Sequence, residues 1–352
     1  MIEMLNTRLS LKLATILPVL GFTLSSYYLI NFIFYLKYIH IPAFLSFILI
    51  GAPFIGRAIT PITYPLLVSR IGISRVIYSS IGSMAIINIL EYTDNDFSFL
   101  LMLRIITGIL FGLSTSASIE LASESKSKII IGMTMGGWAL GWIIAAFTAF
   151  LLGKYMLLIG ILPLTLLISY WKSKIDSNKI LHRQIKIEFS WKALLIFLLG
   201  FEPAYILQIL PSLIGQSAAI YETFIAYSLS FLAYAFLPLI KNVKMSSILI
   251  SIVIGISGFF AFISLKIYLF ILFTIFGLGM NSILPILSRL LNVDPRKIGP
   301  SMNLAALSGF TIPIFVEIGN IKYNSALLTL TTSVLLISFI LYETNKKVLN
   351  KI

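Results

Sequence analysis

The chain has 352 residues, of which 59% are hydrophobic and 11% charged, with a mean hydropathy of +1.01 and a net charge of +13. Soluble domains carry about 25% charge, so this composition excludes a soluble globular protein and assigns the chain to the bilayer. There is no cysteine, which excludes disulfides and thiolate metal sites, and no cofactor is expected.

A spanning helix needs about 20 mostly apolar residues. Runs of that kind lie at 13–36, 42–67, 73–91, 97–121, 129–152, 155–171, 192–214, 219–240, 245–265, 267–288, 300–321 and 323–342. The divisions at Gly153-Lys154 and at Lys266 each rest on one lysine, so ten or eleven spans are the alternative count. The first run follows Arg8 and Lys12 as a signal peptide's apolar region would. It is too long and lacks a small-x-small cleavage site, so it reads as a retained span.

The second run carries Arg57 among Gly51, Pro53, Gly56, Pro61 and Pro65. So many breakers predict a bent helix, whose freed backbone groups must be met by neighbouring helices or a water-filled cavity. Glu91, Asp94 and Asp96 form an acidic cluster expected outside the bilayer, after the third run. The fourth run puts Arg104, Gly108, Phe111, Thr115 and Ser118 on one helix face, which suits a pathway wall. Gly108 with Gly112, and Gly132 with Gly136, are small-x-x-x-small pairs that let helices approach closely.

A polar stretch over 172–191 divides the chain into an N-terminal bundle (1–171), a linker and a C-terminal bundle (192–352). In the seventh run, Glu202 next to Pro203 shares one side with Tyr205 and Gln208 and is the leading candidate to carry a proton. Asn281 in the tenth run and Glu317 toward the outer end of the eleventh are further lining candidates. Softer ones are Tyr27, Tyr28, Asn31, Trp138 and Trp142. A charge at mid-depth costs at least ~2.5–3.5 kcal/mol, so Arg57, Arg104, Glu202 and Glu317 mark function by default. The structural alternative is an ion pair, Arg57 or Arg104 with Glu202, that holds the bundles together.

Basic residues crowd one set of turns, among them Arg70, Arg75, Lys126, Lys128, Lys241, Lys244, Arg289 and Lys297. Only Lys37, Lys154, Lys266 and Lys322 fall on the other side. That bias predicts a multi-pass protein of the cell membrane with both termini in the cytoplasm. It also accounts for the net charge without nucleic acid. Two short matches relate the halves. Lys128 to Met133 aligns with Lys297 to Met302, and Pro65-Leu-Leu with Pro238-Leu-Ile. Together with the six-plus-six count they suggest a duplicated unit, as secondary transporters use.

Three segments carry a family resemblance. The turn after the second run has Arg70, Gly72 and Arg75, with Ser69 before them. The fourth run has Arg104 followed by Gly108, and the fifth has Gly132, Gly136, Gly137 and Gly141. In this order they resemble the major facilitator superfamily, over the whole chain. The loop matches the family's Asp-Arg-x-Gly-Arg-Arg pattern except that Ser69 replaces the aspartate and the last basic residue is shifted. The fifth run resembles the antiporter-associated motif without its proline.

The resemblance implies an all-α protein of about twelve helices in two pseudo-symmetric bundles, working by alternating access. It implies that Arg70, Gly72 and Arg75 form a gating loop, with Arg70 or Arg75 latched to Glu120 or Glu124. The expected function is secondary transport of a small organic solute, with proton coupling through Glu202. Two buried arginines favour an anionic solute. A multidrug or metabolite efflux antiporter is the alternative, ahead of a non-transporting membrane protein or a membrane enzyme. The only histidines, His40 and His182, lie near predicted surfaces, so an enzyme would lack a base at depth. A monomer is expected.

Overall fold

The computed structural model describes residues 2–161, 186–206 and 209–349. They form helices throughout: α1 (Ile2–Tyr35), α2 (Ala43–Ala58), α3 (Thr60–Ile71), α4 (Ile73–Thr93), α5 (Phe97–Glu124) and α6 (Lys128–Leu152), then α7 (Trp191–Ile206), α8 (Leu210–Ile214), α9 (Gln216–Phe236), α10 (Val243–Ser264), α11 (Ile267–Met280), α12 (Leu284–Leu290), α13 (Pro295–Ala305), α14 (Ser308–Glu317) and α15 (Ile321–Leu349). Eight described helices are long and apolar enough to cross a membrane, or ten if the bent pairs α2–α3 and α11–α12 each count as one span. Most of the sixth run lies outside the described residues, and α7 with α8 occupies the seventh.

Side-chain caps start several helices where the sequence turns polar. Asp96 accepts from the Phe99 N–H, Ser127 from Ile130 and Asn242 from Met245. Each satisfies a backbone donor that the first helical turn leaves open. Between α3 and α4, Gly72 takes φ 85°, which a side chain would disfavour. The chain therefore reverses there within one residue.

The second span bends by 59° between α2 and α3. Its three prolines each delete one helical N–H and so orphan the carbonyl four residues earlier. Each orphan has found a donor. Arg104 Nε donates to Leu49 O at 3.3 Å, opposite Pro53. Thr60 Oγ1 donates to Arg57 O at 2.6 Å, opposite Pro61. The Glu188 N–H donates to Pro61 O at 3.0 Å, opposite Pro65. A broken span in lipid requires this kind of repair.

Helices α1–α6 pack mainly on one another, α1 on α6 and α2 and α4 on α5. Helices α7–α15 do likewise, α10 on α15 and α11, and α9 on α11. The two groups meet along two seams, α13 against α5 and α9 against α6. The segment before α7 is tied to both groups, because its next hydrogen bond runs from the Ser190 N–H to Ser301 Oγ at 2.8 Å.

Candidate functional site

The first seam is organised around Asn303 of α13, which is fully buried. Its Oδ1 accepts from Arg57 Nε at 2.9 Å. Its Nδ2 lies 3.1 Å from Gly112 O, 3.1 Å from Thr115 Oγ1 and 3.0 Å from Ser116 Oγ, all on α5. One amide of the second bundle thus occupies a polar notch in the first. The Arg57 guanidinium also lies over the Phe111 ring at 4.7 Å, which shields its charge from lipid. Farther along, Gly299 has no room for a side chain, since a Cβ would lie 2.5 Å from Ser116 Cα.

The second seam uses the paired glycines of α6. A Cβ on Gly136 would come 3.0 Å from Tyr234 Cβ, and one on Gly132 would overlap the Tyr234 carbonyl oxygen. Close to the basic turns, Lys128 Nζ donates to Ile240 O at 3.1 Å. Deeper in, Trp142 and Tyr227 meet across the seam with ring centroids 5.2 Å apart. Several polar atoms around this seam are buried with no hydrogen-bond partner among the described residues: Trp142 Nε1, Tyr234 Oη and Asn281 Oδ1. They are groups that a bound molecule or water would satisfy.

Arg104 lies apart from both seams. It is wholly buried inside the first bundle and pairs with Glu91 of α4 at 3.5 Å. Its Nη2 donates to Leu29 O at 3.0 Å. Asn88 Nδ2 completes the cluster at 3.2 Å from Glu91 Oε2 and 3.1 Å from Tyr28 O. The sequence places Glu91 in an outer acidic cluster; the structure corrects this, because α4 continues two residues beyond the apolar run and buries it. Arg104 is therefore a brace for α1, α2 and α4, not a neighbour of Arg57 on a shared cavity wall.

The expected latch of Arg70 or Arg75 with Glu120 or Glu124 is not formed among the described residues in this structure. Both arginines are exposed and form no ion pair among the described residues. Glu120 is buried and accepts from Tyr64 Oη at 2.8 Å. Of the remaining candidates, Glu202, Tyr205 and Glu317 sit on described helices, but their side chains lie outside the described residues, as does Gln208 altogether.

Glu222 is a carboxyl that the sequence reading passed over. It is buried in the N-terminal part of α9, where Oε1 lies 2.6 Å from Thr274 Oγ1 of α11. Its Oε2 has no partner, and no cation pairs with it among the described residues. Its position three residues inside the eighth run was the available signal.

No protein-family model matches the sequence, and no curated protein matches it. Solved structures do. The Escherichia coli fucose:proton symporter FucP superposes with a TM-score of 0.71 at 15% identity, covering 95% of this chain and 99% of that one. A bacterial homologue of the iron transporter ferroportin, in an outward-facing state, gives 0.68 at 12% identity over 95% and 99%. The proton:xylose symporter XylE, of the major facilitator superfamily, gives 0.63 at 14% identity over 93% and 95%. The chain has the major facilitator fold. Near-complete coverage of both partners means that the whole chain, not one bundle, adopts it. The seams at Asn303 and Tyr234 are the contacts of helices α1–α6 with helices α7–α15.

Proposed function

We propose that this membrane protein is a secondary transporter, not an enzyme, and that it carries a small organic solute by alternating access. The moving units are the bundles 1–171 and 192–352. The basic turns, and with them both termini, face the cytoplasm of a cell membrane, as the charge bias favours. The protein acts as a monomer.

The observation that carries this reading is the make-up of the seams. Asn303 and Arg57 join the bundles by hydrogen bonds, and Gly132, Gly136 and Gly299 supply close backbone contact. Such contacts separate without tearing an apolar core. Both seams are closed near the basic turns, so this conformation is the one sealed toward the cytoplasm.

Coupling to a proton gradient is assigned to a carboxyl at depth. Glu222 takes up or releases a proton without breaking an ion pair, and Glu202 is the second candidate. An anionic solute is proposed from the two buried arginines of the first bundle, Arg57, which also bonds Asn303, and Arg104, which also pairs with Glu91.

The test is uptake into liposomes containing the purified protein, across a panel of labelled organic solutes, with and without a pH gradient. Uptake of at least one solute is expected to rise with the gradient. Glu222→Gln or Glu202→Gln should abolish that rise while leaving solute exchange intact. Gradient-driven uptake unchanged in both variants would remove the proposed coupling, and no uptake of any solute would remove transport.

A further inference from the structure

Beside the second seam, on the basic end, lies a cleft of about 780 Å³. Lys126 and Lys128 of the first bundle line one side, and Lys241, Lys244 and Arg289 of the second line the other. No carboxylate lines it, and none of these five cations forms an ion pair among the described residues. Unpaired like charges gathered in one concavity repel, and low-dielectric walls focus their field. Positive-inside bias alone calls for basic residues at this end of the molecule. It does not call for them to face one another across a seam.

Two further features point the same way. Helices α6 and α10 both begin at the cleft, with Lys128 and Val243 as their first residues. Their N-terminal dipole ends add positive potential where the lysines already concentrate it. Lys126 adopts φ 58°, at a helix end where glycine is the favoured residue. A lysine held there keeps its charge at the cleft mouth.

We propose that this cleft binds a phosphorylated anion, a pyrophosphate-like group or a phospholipid headgroup, which bridges the two bundles. Phosphate suits the site better than a single carboxylate because it carries more charge and more acceptor oxygens than one lysine can satisfy. The cations come from both sides of the seam. They converge here, where Lys128 reaches Ile240, so an anion held by cations of both sides favours this closed form over one in which the sides part. That consequence rests on the alternating-access reading; the binding itself does not.

The experiment uses the full chain in lipid nanodiscs and reads thermal unfolding and anion affinity. One arm adds inorganic pyrophosphate to phosphatidylcholine discs. The other replaces part of the phosphatidylcholine with phosphatidylglycerol and adds no soluble anion. A raised unfolding midpoint in the first arm identifies a soluble ligand, and in the second alone a lipid headgroup. Either response should be about tenfold weaker (about 1.4 kcal/mol) in the double variant Lys241→Gln/Arg289→Gln. It should also weaken in Lys126→Gln, an exposed position whose substitution leaves the seam untouched. Lys297→Gln, on the same face outside the cleft, should respond like the unaltered protein. No response in either arm, or equal responses in the cleft variants and Lys297→Gln, would overturn the proposal.

Discussion

Arg57 of the second span and Asn303 of α13 are joined by a 2.9 Å hydrogen bond that crosses from one bundle to the other. Asn303 spends its amide on the first bundle as well, so one side chain holds most of the polar contact along that seam. Removing it takes away the acceptor of Arg57 Nε and the donor to Gly112 O. Asn303→Ala is expected to destabilise the form closed at the basic end by about 1–3 kcal/mol, the usual cost of an unsatisfied buried donor. Distances between spin labels placed across that end should lengthen. Asn303→Asp would keep an acceptor for Arg57 but turn a second acceptor toward the Gly112 and Gly299 carbonyls, so it should not restore the original distance.

The Glu91–Arg104 pair gives an opposite pattern of stability. Breaking a buried pair by removing one partner costs about 3–5 kcal/mol, whereas replacing both with apolar residues is often neutral. Glu91→Leu alone should therefore lower the unfolding midpoint strongly. The double variant Glu91→Leu/Arg104→Met should recover much of it, short of what the bare Leu49 and Leu29 carbonyls cost. A double variant worse than the sum of the singles would show that the pair is not a brace.

Gly132 tests the second seam. Any side chain there meets the Tyr234 carbonyl and Pro238. Gly132→Val should leave the first bundle folded yet hold the basic end apart, which accessibility of a cysteine introduced at Ser116 to a thiol reagent would report. The natural chain has no cysteine, so such labels have no background.

At the basic end, Asp294 caps α13 and is held below the usual carboxylate range, chiefly by its hydrogen bonds from Arg296. A depressed folded-state value means stability that is present at neutral pH and is lost as pH falls through it. The pair is partly exposed and screened, so the effect is under about 1 kcal/mol. Asp294→Asn should lower the unfolding midpoint slightly at pH 7, and the difference should begin to shrink below the ordinary aspartate value of about 3.9 and vanish once pH has fallen through the depressed one.

Particular residues show how far the sequence carried this picture. The proline-rich second span announced its own bend, and Gly72 its turn, because both are properties of local backbone. Arg57 was legible as an interior charge, but its partner was not. An asparagine in an apolar run carries no sign of depth, and Asn303 meets α5 only through packing between residues nearly two hundred apart. Glu91 was misplaced by its neighbours Asp94 and Asp96. Two extra residues of helix separate a buried carboxyl from an exposed one, and Arg104 supplies the reason to bury it. Glu222 was hidden in the same way, at the margin of a run whose helix begins earlier than hydropathy suggests.

The alternating access proposed above requires the two ends of the molecule to move in opposite senses. One label pair across the basic end, at Arg75→Cys and Lys297→Cys, and a second across the other end, at Asp94→Cys and Lys266→Cys, measure that directly by electron–electron resonance. Between acidic and neutral pH, or on adding a transported solute, the first distance is predicted to lengthen as the second shortens. Two distances that stay fixed under every condition, or that change together, would contradict the account.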